Sequence, residues 1–391
     1  MPSAAIVSNS DTNIYRFRAP IMRKLLDAGV LVYAVAPPGR FVADIESMGV
    51  EFVPWSLNRR SLNPFLELGS LVELIRIYRR LKPSLAQHFT VKPNVYGAIA
   101  ARIAGVPLVF GGVTGLGTAF ASGGTLRPIL RSSVTLLYRI ATALSDRVIL
   151  QTEHDARLLY GESCTEKALV IRGGSSVDLA TFNQDSVSSA DRSKIEADLG
   201  VQAGDLVVTM ASRLLYDKGV SEYVEAARAL RSKRSDTHFV LAGERDPGNR
   251  DSVTSDDLDQ WVKERDILYV GYRDDMPLLL VTSDIVVLPT YYPEGIPRVL
   301  IEAAAMSRPI VSTTIPGVAE IVEDGVNGAL VLPRNANALA SAIEELLDNP
   351  SLRSEYGAAG RLKAEREYDD RVVAQRYVEE YQKAWMKARS R

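Results

Sequence analysis

Short apolar runs alternate along the chain with longer segments in which apolar residues recur at helical spacing. In the first half, the apolar runs that predict strands are residues 4–8, 31–36, 51–54, 85–89, 108–110 and 148–151. Helices are predicted between them at 20–27, 64–81, 93–104 and 126–144, and in 64–81 the predicted core stripe is Leu68, Leu71, Val72 and Ile75. Strands that alternate with helices indicate a parallel sheet covered by helices.

The pattern is interrupted at residues 175–204, which are rich in Ser, Asp and Ala and predict a linker. Beyond it, strands are predicted at 206–211, 238–242, 267–270, 285–288, 309–312 and 329–331. Helices are predicted at 221–232, 276–281, 297–306, 318–322, 336–347 and 370–388. We therefore expect two doubly wound Rossmann-like α/β domains, over 1–180 and 200–369, that face each other across a cleft. The helix in 370–391 is expected to return to the first domain.

The length of 391 residues agrees with two domains. The only cysteine, Cys164, excludes an internal disulfide and fits a reducing compartment. His88, His154 and His238 are far apart in the sequence and lack metal-ligand spacing, so no metal site is predicted.

The net charge of −2 is unevenly distributed. Residues 1–180 hold 20 Lys and Arg against 13 Asp and Glu, a balance of +7, and the remainder holds 26 against 35, a balance of −9. A basic half attracts anionic partners such as phospholipids or diphosphates. With neither a recognisable signal peptide nor an apolar run of about 18 residues, we expect a cytoplasmic location, peripheral on the inner face of the membrane.

The first chemical motif is the segment PEGIPRVLIEA, which begins at Pro293 and follows a predicted strand. Gly295 lets the backbone approach a ligand closely, and Pro297 is suited to the first turn of a helix whose N–H groups favour an anion. Glu294 lies in the loop before that helix, where it can accept hydrogen bonds from sugar hydroxyls. Glu302 lies within the helix, from which it can reach a ribose.

The second motif is the segment SRLLYDKG, which begins at Ser212 after the first predicted strand of the second domain. Arg213 and Lys218 are expected to converge there on a diphosphate, over another helix N-terminus. Two cations at this place would offset the charge of a leaving diphosphate without a metal. The neighbouring pair Asp274-Asp275 precedes a predicted helix and is interpreted as an N-cap.

At these residues the sequence resembles the family-four retaining glycosyltransferases, which have the two-domain fold called GT-B. The resemblance is carried by Glu294 and Glu302, with seven residues between them, by Arg213 and Lys218, and by segments 271–277 and 312–328. It implies that Glu294 and the backbone of Gly295, Ile296, Pro297 and Val299 hold the donor sugar, that Glu302 holds the ribose, and that the base lies near Tyr272 and Arg273. The base is usually uracil in this family, and no cofactor is implied.

In the first half, segments 13–18, 90–94 and 111–117 are interpreted as loops that leave the carboxyl ends of strands and share one rim. They resemble a narrower branch of the family, bacterial enzymes that add N-acetylhexosamines to polyprenyl-diphosphate-linked sugars. The resemblance implies an acceptor site that includes Arg16, Lys92, Thr114 and Gly115, with Arg16 and Lys92 on the pyrophosphate. His88 is next to this rim, and for it a structural role is an equal alternative to a role in the acceptor site.

The segment 59–82 combines an apolar face with six basic residues, which is typical of a helix on an anionic bilayer. Its basic residues are Arg59, Arg60, Arg76, Arg79, Arg80 and Lys82. The same apolar face must also cover the sheet, so a solvated basic surface is the alternative.

We therefore expect a retaining enzyme that moves a hexosamine, N-acetylgalactosamine or N-acetylglucosamine, from a UDP-sugar to a lipid-linked saccharide in surface glycan or glycoprotein assembly. Anionic membrane is the expected partner, and no nucleic acid partner is expected. Front-face substitution is the expected mechanism, because no convincing base or nucleophile is recognised. A UDP-sugar epimerase, a transferase with a soluble acceptor, and a non-catalytic sugar-nucleotide scaffold stay open as alternatives. The sequence names neither the sugars nor the linkage.

Overall fold

The chain folds into two compact units in the computed structural model, which describes residues 2–58, 61, 63–116, 127–161, 165–172, 175–293 and 295–390. The first unit comprises residues 1–175 together with 370–391, and the second comprises residues 176–369. Each unit contains one parallel sheet with helices on its faces, so the predicted pair of doubly wound Rossmann-like domains is confirmed.

The first unit has, in its described part, a seven-stranded sheet in the order β3-β2-β1-β4-β5-β6-β7. Its strands are β1 (Ser3–Val7), β2 (Leu31–Ala36), β3 (Glu51–Pro54), β4 (Leu85–Phe89), β5 (Leu108–Val113), β6 (Arg147–Leu150) and β7 (Ala168–Val170). Its first helices are α1 (Asp11–Asp27), α2 (Val42–Ser47), α3 (Pro64–Leu81), α4 (Val91–Ala104), α5 (Arg127–Leu144) and α6 (Glu153–Tyr160). The strand order reverses between β1 and β4, and ligands of such sheets bind at that point, outside the carboxyl ends of the strands.

The second unit has, in its described part, a six-stranded sheet in the order β10-β9-β8-β11-β12-β13. Its strands are β8 (Leu206–Ala211), β9 (Thr237–Ala242), β10 (Leu268–Tyr269), β11 (Ile285–Leu288), β12 (Ile310–Thr313) and β13 (Gly328–Val331). Its helices are α7 (Ser189–Asp198), α8 (Val220–Arg231), α9 (Ser255–Lys263), α10 (Met276–Thr282), α11 (Arg298–Ala305), α12 (Pro316–Ala319), α13 (Ala336–Asp348) and α14 (Pro350–Glu367). The order reverses between β8 and β11.

The last helix, α15 (Asp370–Arg389), packs in the first unit, mainly on α1. Tyr377 and Tyr381 are fully buried there, and the Tyr381 hydroxyl donates to Oε1 of Gln87 on β4 at 2.9 Å. The Tyr381 ring also meets the edge of Phe110 on β5, with centroids 5.1 Å apart. This helix therefore contributes a large part of the core on one face of the first sheet.

Several elements differ from the sequence predictions. Within the predicted linker, α7 buries Ile195 and its flanking Leu199 against β8 and β9. α14 buries Gly357 and Gly360 against the chain around α11, and at Gly357 a Cβ atom would lie 2.2 Å from the carbonyl oxygen of Ser307. The weak amphipathic pattern of α14 explains why it was not predicted. Helices α2, α6 and α9 were also not predicted.

Helix α1 begins nine residues before its predicted start at 20, because Ser10 caps it and Pro20 is accommodated inside it. The Ser10 side chain accepts a hydrogen bond from the backbone N–H of Asn13. The segment 13–18, interpreted as a loop, is therefore helical, and segment 91–94 forms the first turn of α4.

The core face of α3 also differs from the prediction. Its buried residues are Ser70, Leu74, Ile77 and Tyr78, whereas Leu68 is 59% exposed. The predicted stripe lies to one side of this face, with Leu71 and Ile75 partly buried at its margin. The helix thus leaves apolar side chains at the surface. Among the described residues, no helix is long and apolar enough to cross a membrane.

Candidate functional site

The carboxyl end of β8 leads into a tightly packed turn that carries Arg213 and Lys218. After Ser212 the chain forms a 3₁₀ turn at Tyr216–Lys218 and then enters α8 through Gly219, whose φ is +81°. A Cβ atom at Gly219 would lie 2.2 Å from the carbonyl oxygen of Pro289, so this turn can approach the end of β11 only with glycine. The turn is thereby fixed against the neighbouring strand.

The two basic residues of this turn differ in burial. Lys218 is only 7% exposed, and its Nζ lies 4.9 Å from the centroid of the Tyr292 ring, in cation–π geometry. The Arg213 side chain is 54% exposed, and its Nη1 makes a long contact of 3.5 Å with Oδ2 of Asp246. Lys218 is held in place by the protein, whereas the Arg213 guanidinium extends from the surface at the same strand end.

The loop after β11 is tied to the same turn by two hydrogen bonds and is braced by a third within the loop. The N–H of Tyr291 donates to the carbonyl oxygen of Asp217 at 2.9 Å, and the Thr290 hydroxyl donates to it at 3.3 Å. The N–H of Tyr292 donates to the Thr290 hydroxyl oxygen at 3.1 Å. The structure therefore brings the two motifs together although more than seventy residues separate them. Glu294 itself lies outside the described residues.

Helix α11 begins at Arg298, with Pro297 as its N-cap (φ −64°, ψ 120°), one residue later than predicted. Ile296 is buried and Val299 is partly buried. Glu302 is 8% exposed, and its Oε1 accepts a hydrogen bond from Nε of Arg298 at 2.8 Å. Arg298 was not predicted, although its i, i+4 spacing to Glu302 is visible in the sequence.

Glycines bring the ends of β8, β9 and β10 close together. At Gly243, with φ +137°, a Cβ atom would lie 1.8 Å from the carbonyl oxygen of Ser212, and its N–H donates to the carbonyl of Gly271 at 2.7 Å. Beyond Gly271, the Tyr272 hydroxyl donates to Oδ1 of Asp274 at 2.7 Å. The loops that follow β8, β9, β10 and β11 are called the second-unit rim below.

Asp275 is the N-cap residue of α10, but its side chain makes no capping hydrogen bond. Its carboxylate instead accepts two hydrogen bonds from Arg273, at 2.7 and 2.5 Å. The expected side-chain cap is therefore wrong, because a bidentate arginine competes better for the carboxylate than backbone N–H groups do.

Further titratable groups surround the Lys218 turn and were not predicted. Arg334 lies over the Tyr291 ring at 4.4 Å. Burial, with repulsion from Glu222, raises the pKa of Tyr291 to about 12. Burial, with repulsion from Glu225, also raises the pKa of Glu222, in the first turn of α8. In the sequence, Glu222 is indistinguishable from any acidic residue that favours a helix N-terminus.

In the first unit, Arg16 lies on α1 rather than in a loop. Its guanidinium carbon is 5.5 Å from the centroid of the Phe41 ring, and Tyr15 stacks on the same ring with centroids 4.7 Å apart. The loops that follow β1, β4 and β5 are called the first-unit rim below. Arg16 is in the second turn of the helix that leaves this rim.

Lys92, in the first turn of α4, is held by three acceptors. Its Nζ donates to Oε1 of Glu67 at 2.7 Å and to the carbonyl oxygens of Asn58 and Ser61 at 2.8 and 2.6 Å. Glu67 also accepts a hydrogen bond from the Tyr96 hydroxyl at 2.5 Å. Burial raises the pKa of Glu67, but the hydrogen bonds from Lys92 and Tyr96 outweigh it and hold that pKa below its ordinary value. Lys92 thus fastens α4 to α3, and its pyrophosphate role stays a prediction.

The junction of β4 and α4 is strained. Thr90 has φ +72° and ψ 164°, a combination that side chains disfavour, and its carbonyl accepts a hydrogen bond from Nδ2 of Asn94 at 2.7 Å. Asn94 also exchanges hydrogen bonds of 2.8 and 2.9 Å with the backbone of Gly112 on β5. Thr114 and Gly115 follow β5 and are partly buried. Residues 117–126, the continuation of this segment, lie outside the described residues.

His88 is fully buried on β4, where Nε2 lies 2.8 Å from the Tyr78 hydroxyl and the ring packs against Gly97. Burial lowers the pKa of His88 to about 3. These contacts favour the structural alternative for this histidine. Within the described ranges, no group of three or more His, Cys, Asp or Glu side chains could hold a metal ion; Cys164 lies outside them.

The chain matches two family models, one in each unit. Residues 5–152 match the model described as "Glycosyl transferase 4-like", and residues 191–363 match "Glycosyl transferases group 1".

Among curated relatives, the chain is 28% identical to the N,N'-diacetylbacillosaminyl-diphospho-undecaprenol alpha-1,3-N-acetylgalactosaminyltransferase of Campylobacter jejuni, over 96% of this chain and 97% of the relative. It is 29% identical to the UDP-Gal:alpha-D-GlcNAc-diphosphoundecaprenol alpha-1,3-galactosyltransferase of Escherichia coli, over 78% and 77% of the two chains.

Among solved structures, Anabaena HepE in complex with UDP superposes with a TM-score of 0.79, at 22% identity, over 98% of this chain and all of that one. At this identity the likeness shows the fold alone. Two parallel Rossmann-like sheets and a glycosyltransferase model in each unit together show that the chain belongs to the group 1 glycosyltransferases and has the GT-B fold.

Proposed function

We propose that the protein transfers a hexosamine from a UDP-sugar to a saccharide linked to polyprenyl diphosphate, with retention at the anomeric carbon. The observation that carries the proposal is the match with the C. jejuni relative over nearly the whole of both chains. The E. coli relative transfers a different sugar, but its acceptor is also linked to undecaprenol diphosphate. The two relatives thus share the carrier lipid and differ in the donor sugar.

The second-unit rim supports a diphosphate-bearing donor. Lys218 is held at the end of β8 by burial and by Tyr292, so it needs little reorganisation to face a developing negative charge. Arg213 supplies a second cation at the same strand end. The Arg298–Glu302 pair fixes a carboxylate that can accept from ribose hydroxyls.

In the proposed reaction the bond between the sugar C1 and the UDP oxygen breaks, and the acceptor oxygen bonds to C1 on the same face. The acceptor proton passes to the departing phosphate oxygen, so no enzyme base is required. Lys218 and Arg213 stabilise the charge on that phosphate, and no metal is needed. Glu294 is assigned to the donor sugar through the family resemblance.

The first unit supports a peripheral association with anionic membrane. Arg76, Arg79, Arg80 and Lys82 are all exposed along and after the second half of α3. Phe65, Leu66 and Leu68 are exposed at the start of the same helix. Exposed apolar and basic side chains on one helix are typical of elements that rest on a bilayer surface.

The test is UDP release from UDP-sugars, measured with and without a polyprenyl-diphosphate-linked saccharide. The proposal expects release that depends on the acceptor, together with a new glycosidic product whose anomeric configuration matches that of the donor. Conversion of the UDP-sugar without acceptor and without free UDP would identify an epimerase. Release that depends equally on a soluble saccharide would exclude the lipid-linked acceptor.

A further inference from the structure

A long groove lies in the first unit, at the carboxyl ends of β1, β2 and β3 and along α3. Its volume is about 1120 Å³, and none of the predicted acceptor residues Arg16, Lys92, Thr114 and Gly115 lines it. At one end it is bounded by Asn9 and Ser10, which follow β1, the strand at which the sheet order reverses. The groove therefore extends from the ligand-binding edge of the sheet to the outer helix α3.

Apolar side chains form much of the wall. Pro37, Pro38 and Pro54 line it from the strand ends, and Phe65 and Leu66 line it from the first turn of α3. Phe65 is 83% exposed and Leu66 is 55% exposed, so two large apolar side chains border an open groove. Such exposure costs hydration free energy unless a ligand covers these groups.

The charged groups of the groove differ in how they are used. Glu73 accepts hydrogen bonds from the N–H and hydroxyl of Ser56 at 3.1 and 3.4 Å, and Asp11 accepts from the N–H groups of Thr12 and Phe41 at 2.6 and 2.8 Å. These carboxylates hold the loops of the wall. The Arg76 side chain makes no hydrogen bond or ion pair within the described residues, which leaves its guanidinium available to an anion.

We propose that this groove binds the first isoprene units of the acceptor, with Arg76 on the diphosphate to which they are joined. An apolar chain that ends in a diphosphate matches an apolar wall beside a guanidinium that no described residue engages. The inference rests on the proposed function, since it assigns a place to the lipid of that acceptor. It adds a protein site for the lipid itself, and it assigns the diphosphate to Arg76 in place of Arg16 and Lys92, for which the family resemblance implies that role.

The chain offers a matched control for each part of the site. Leu68 is 59% exposed, close to Leu66 on the same helix, but it does not line the groove. Arg79 is exposed three residues after Arg76 and does not line it either. If these side chains acted only through contact with a bilayer, substituting either member of a pair would have the same effect. If the groove binds the lipid, only the member that lines the groove should matter.

The experiment measures KM in vesicle-free buffer for two forms of the same saccharide diphosphate, one with a fifteen-carbon isoprenoid tail and one with a methyl group. For the wild type we expect the tailed form to have a KM at least about tenfold lower, because several buried methylene groups suffice for that difference. Leu66→Ser and Phe65→Ser should abolish most of the difference, and Leu68→Ser should retain it. Arg76→Gln should raise KM for both forms several-fold, and Arg79→Gln should leave both unchanged.

Melting curves show whether the serine variants fold. We expect them to fold, because the substituted side chains are exposed. Equal KM values for the two forms in the wild type, or equal effects of Leu66→Ser and Leu68→Ser, would overturn the isoprenoid site. A rise in KM for the methyl form in Phe65→Ser would assign the groove to the saccharide instead and would also overturn it. If neither form accepts a sugar from any UDP-sugar, the proposed function fails rather than the groove alone.

Discussion

The two rims use charged side chains in opposite ways. In the second unit, Lys218 at the end of β8 and Glu302 within α11 are nearly buried, and both are proposed to face the donor. On the first-unit rim, the most prominent lysine, Lys92, has three protein acceptors and joins two helices. A basic residue after a strand is thus assigned to the proposed diphosphate in one unit, whereas in the other it joins two helices. What differs is what these contacts do: those of Lys92 join α3 and α4, whereas Lys218 packs over the Tyr292 ring at the end of β8.

The largest expected effect tests the second-unit rim. Lys218→Ala or Arg213→Ala should lower kcat by about 100- to 1000-fold, because charge on the leaving diphosphate develops in the transition state. The Arg213 side chain is 54% exposed, so Arg213→Ala should leave the melting temperature unchanged. Arg231→Ala, an exposed arginine at the far end of α8, serves as the control. Turnover near the wild-type value in both variants would break the assignment of this rim to the diphosphate.

The second prediction concerns the basic surface of the first unit. Replacing Arg76, Arg79, Arg80 and Lys82 with Gln should weaken binding to anionic vesicles at least about tenfold, since each basic residue near such a surface contributes on the order of 1 kcal/mol before screening. Vesicle sedimentation at low and high salt measures the effect, and added salt should mimic the variant. A wild-type protein that ignores anionic vesicles at low salt would show that this surface is only solvated.

The third prediction concerns the role of Lys92. If its contacts are mainly structural, Lys92→Met should reduce the free energy of unfolding by about 2 kcal/mol while KM for the acceptor changes little. A rise in KM without loss of stability would assign Lys92 to the acceptor after all.

The Lys92–Glu67 contact also predicts a pH dependence. The pKa of Glu67 is lower in the folded chain than in the unfolded chain. Its contribution to stability is therefore complete above the unfolded pKa of about 4.3 and is lost as the pH falls through the folded value. Denaturant unfolding at pH 6 and in the acid range should show this loss in the wild type and less of it in Glu67→Gln. An unchanged acid response in Glu67→Gln would contradict the ion pair.

The smallest expected effect is none at all. Because Lys218, Arg213 and helix N-terminal N–H groups are assigned to the diphosphate, turnover should survive chelation by EDTA. Loss of turnover that Mg²⁺ or Mn²⁺ restores would reveal a metal that the two cations do not replace.

The sequence predicted the second unit better than the first because its motifs are local. Arg213 and Lys218 lie on one turn, and Glu302 lies on the helix that follows Gly295, so the sequence places each motif at the end of a strand. The hydrogen bonds between that turn and residues Thr290 and Tyr291 depend on the close contact of Gly219 with Pro289. That contact is a tertiary one, which the sequence does not show. The groove could not be predicted, because it is assembled from three strand ends and a helix whose core face was misassigned.

Two of the three predicted loops of the first unit, 13–18 and 90–94, were wrong because α1 and α4 begin earlier than predicted. Pro20 indicates a helix start, but the Ser10 cap begins α1 earlier and the helix continues through the proline. Ser10 and Pro20 are thus two alternative local signals for the start of α1. Packing of the helix on β2 and α15 favours the earlier start. Strand positions were more secure: 206–211 and 285–288 match β8 and β11, because buried parallel strands have apolar residues on both faces.

The return of α15 to the first unit has a consequence for biosynthesis. The second unit is continuous in sequence and can fold as soon as residue 369 has left the ribosome, whereas the first unit must wait for a helix made after it. Until then, the apolar face formed by α1, β4 and β5 lacks Tyr377 and Tyr381, which cover it in the finished protein. In a nascent chain stalled within the second unit, the first unit is therefore incompletely folded and exposes this apolar face. Chaperones that bind exposed apolar surface should bind the stalled chain at that face.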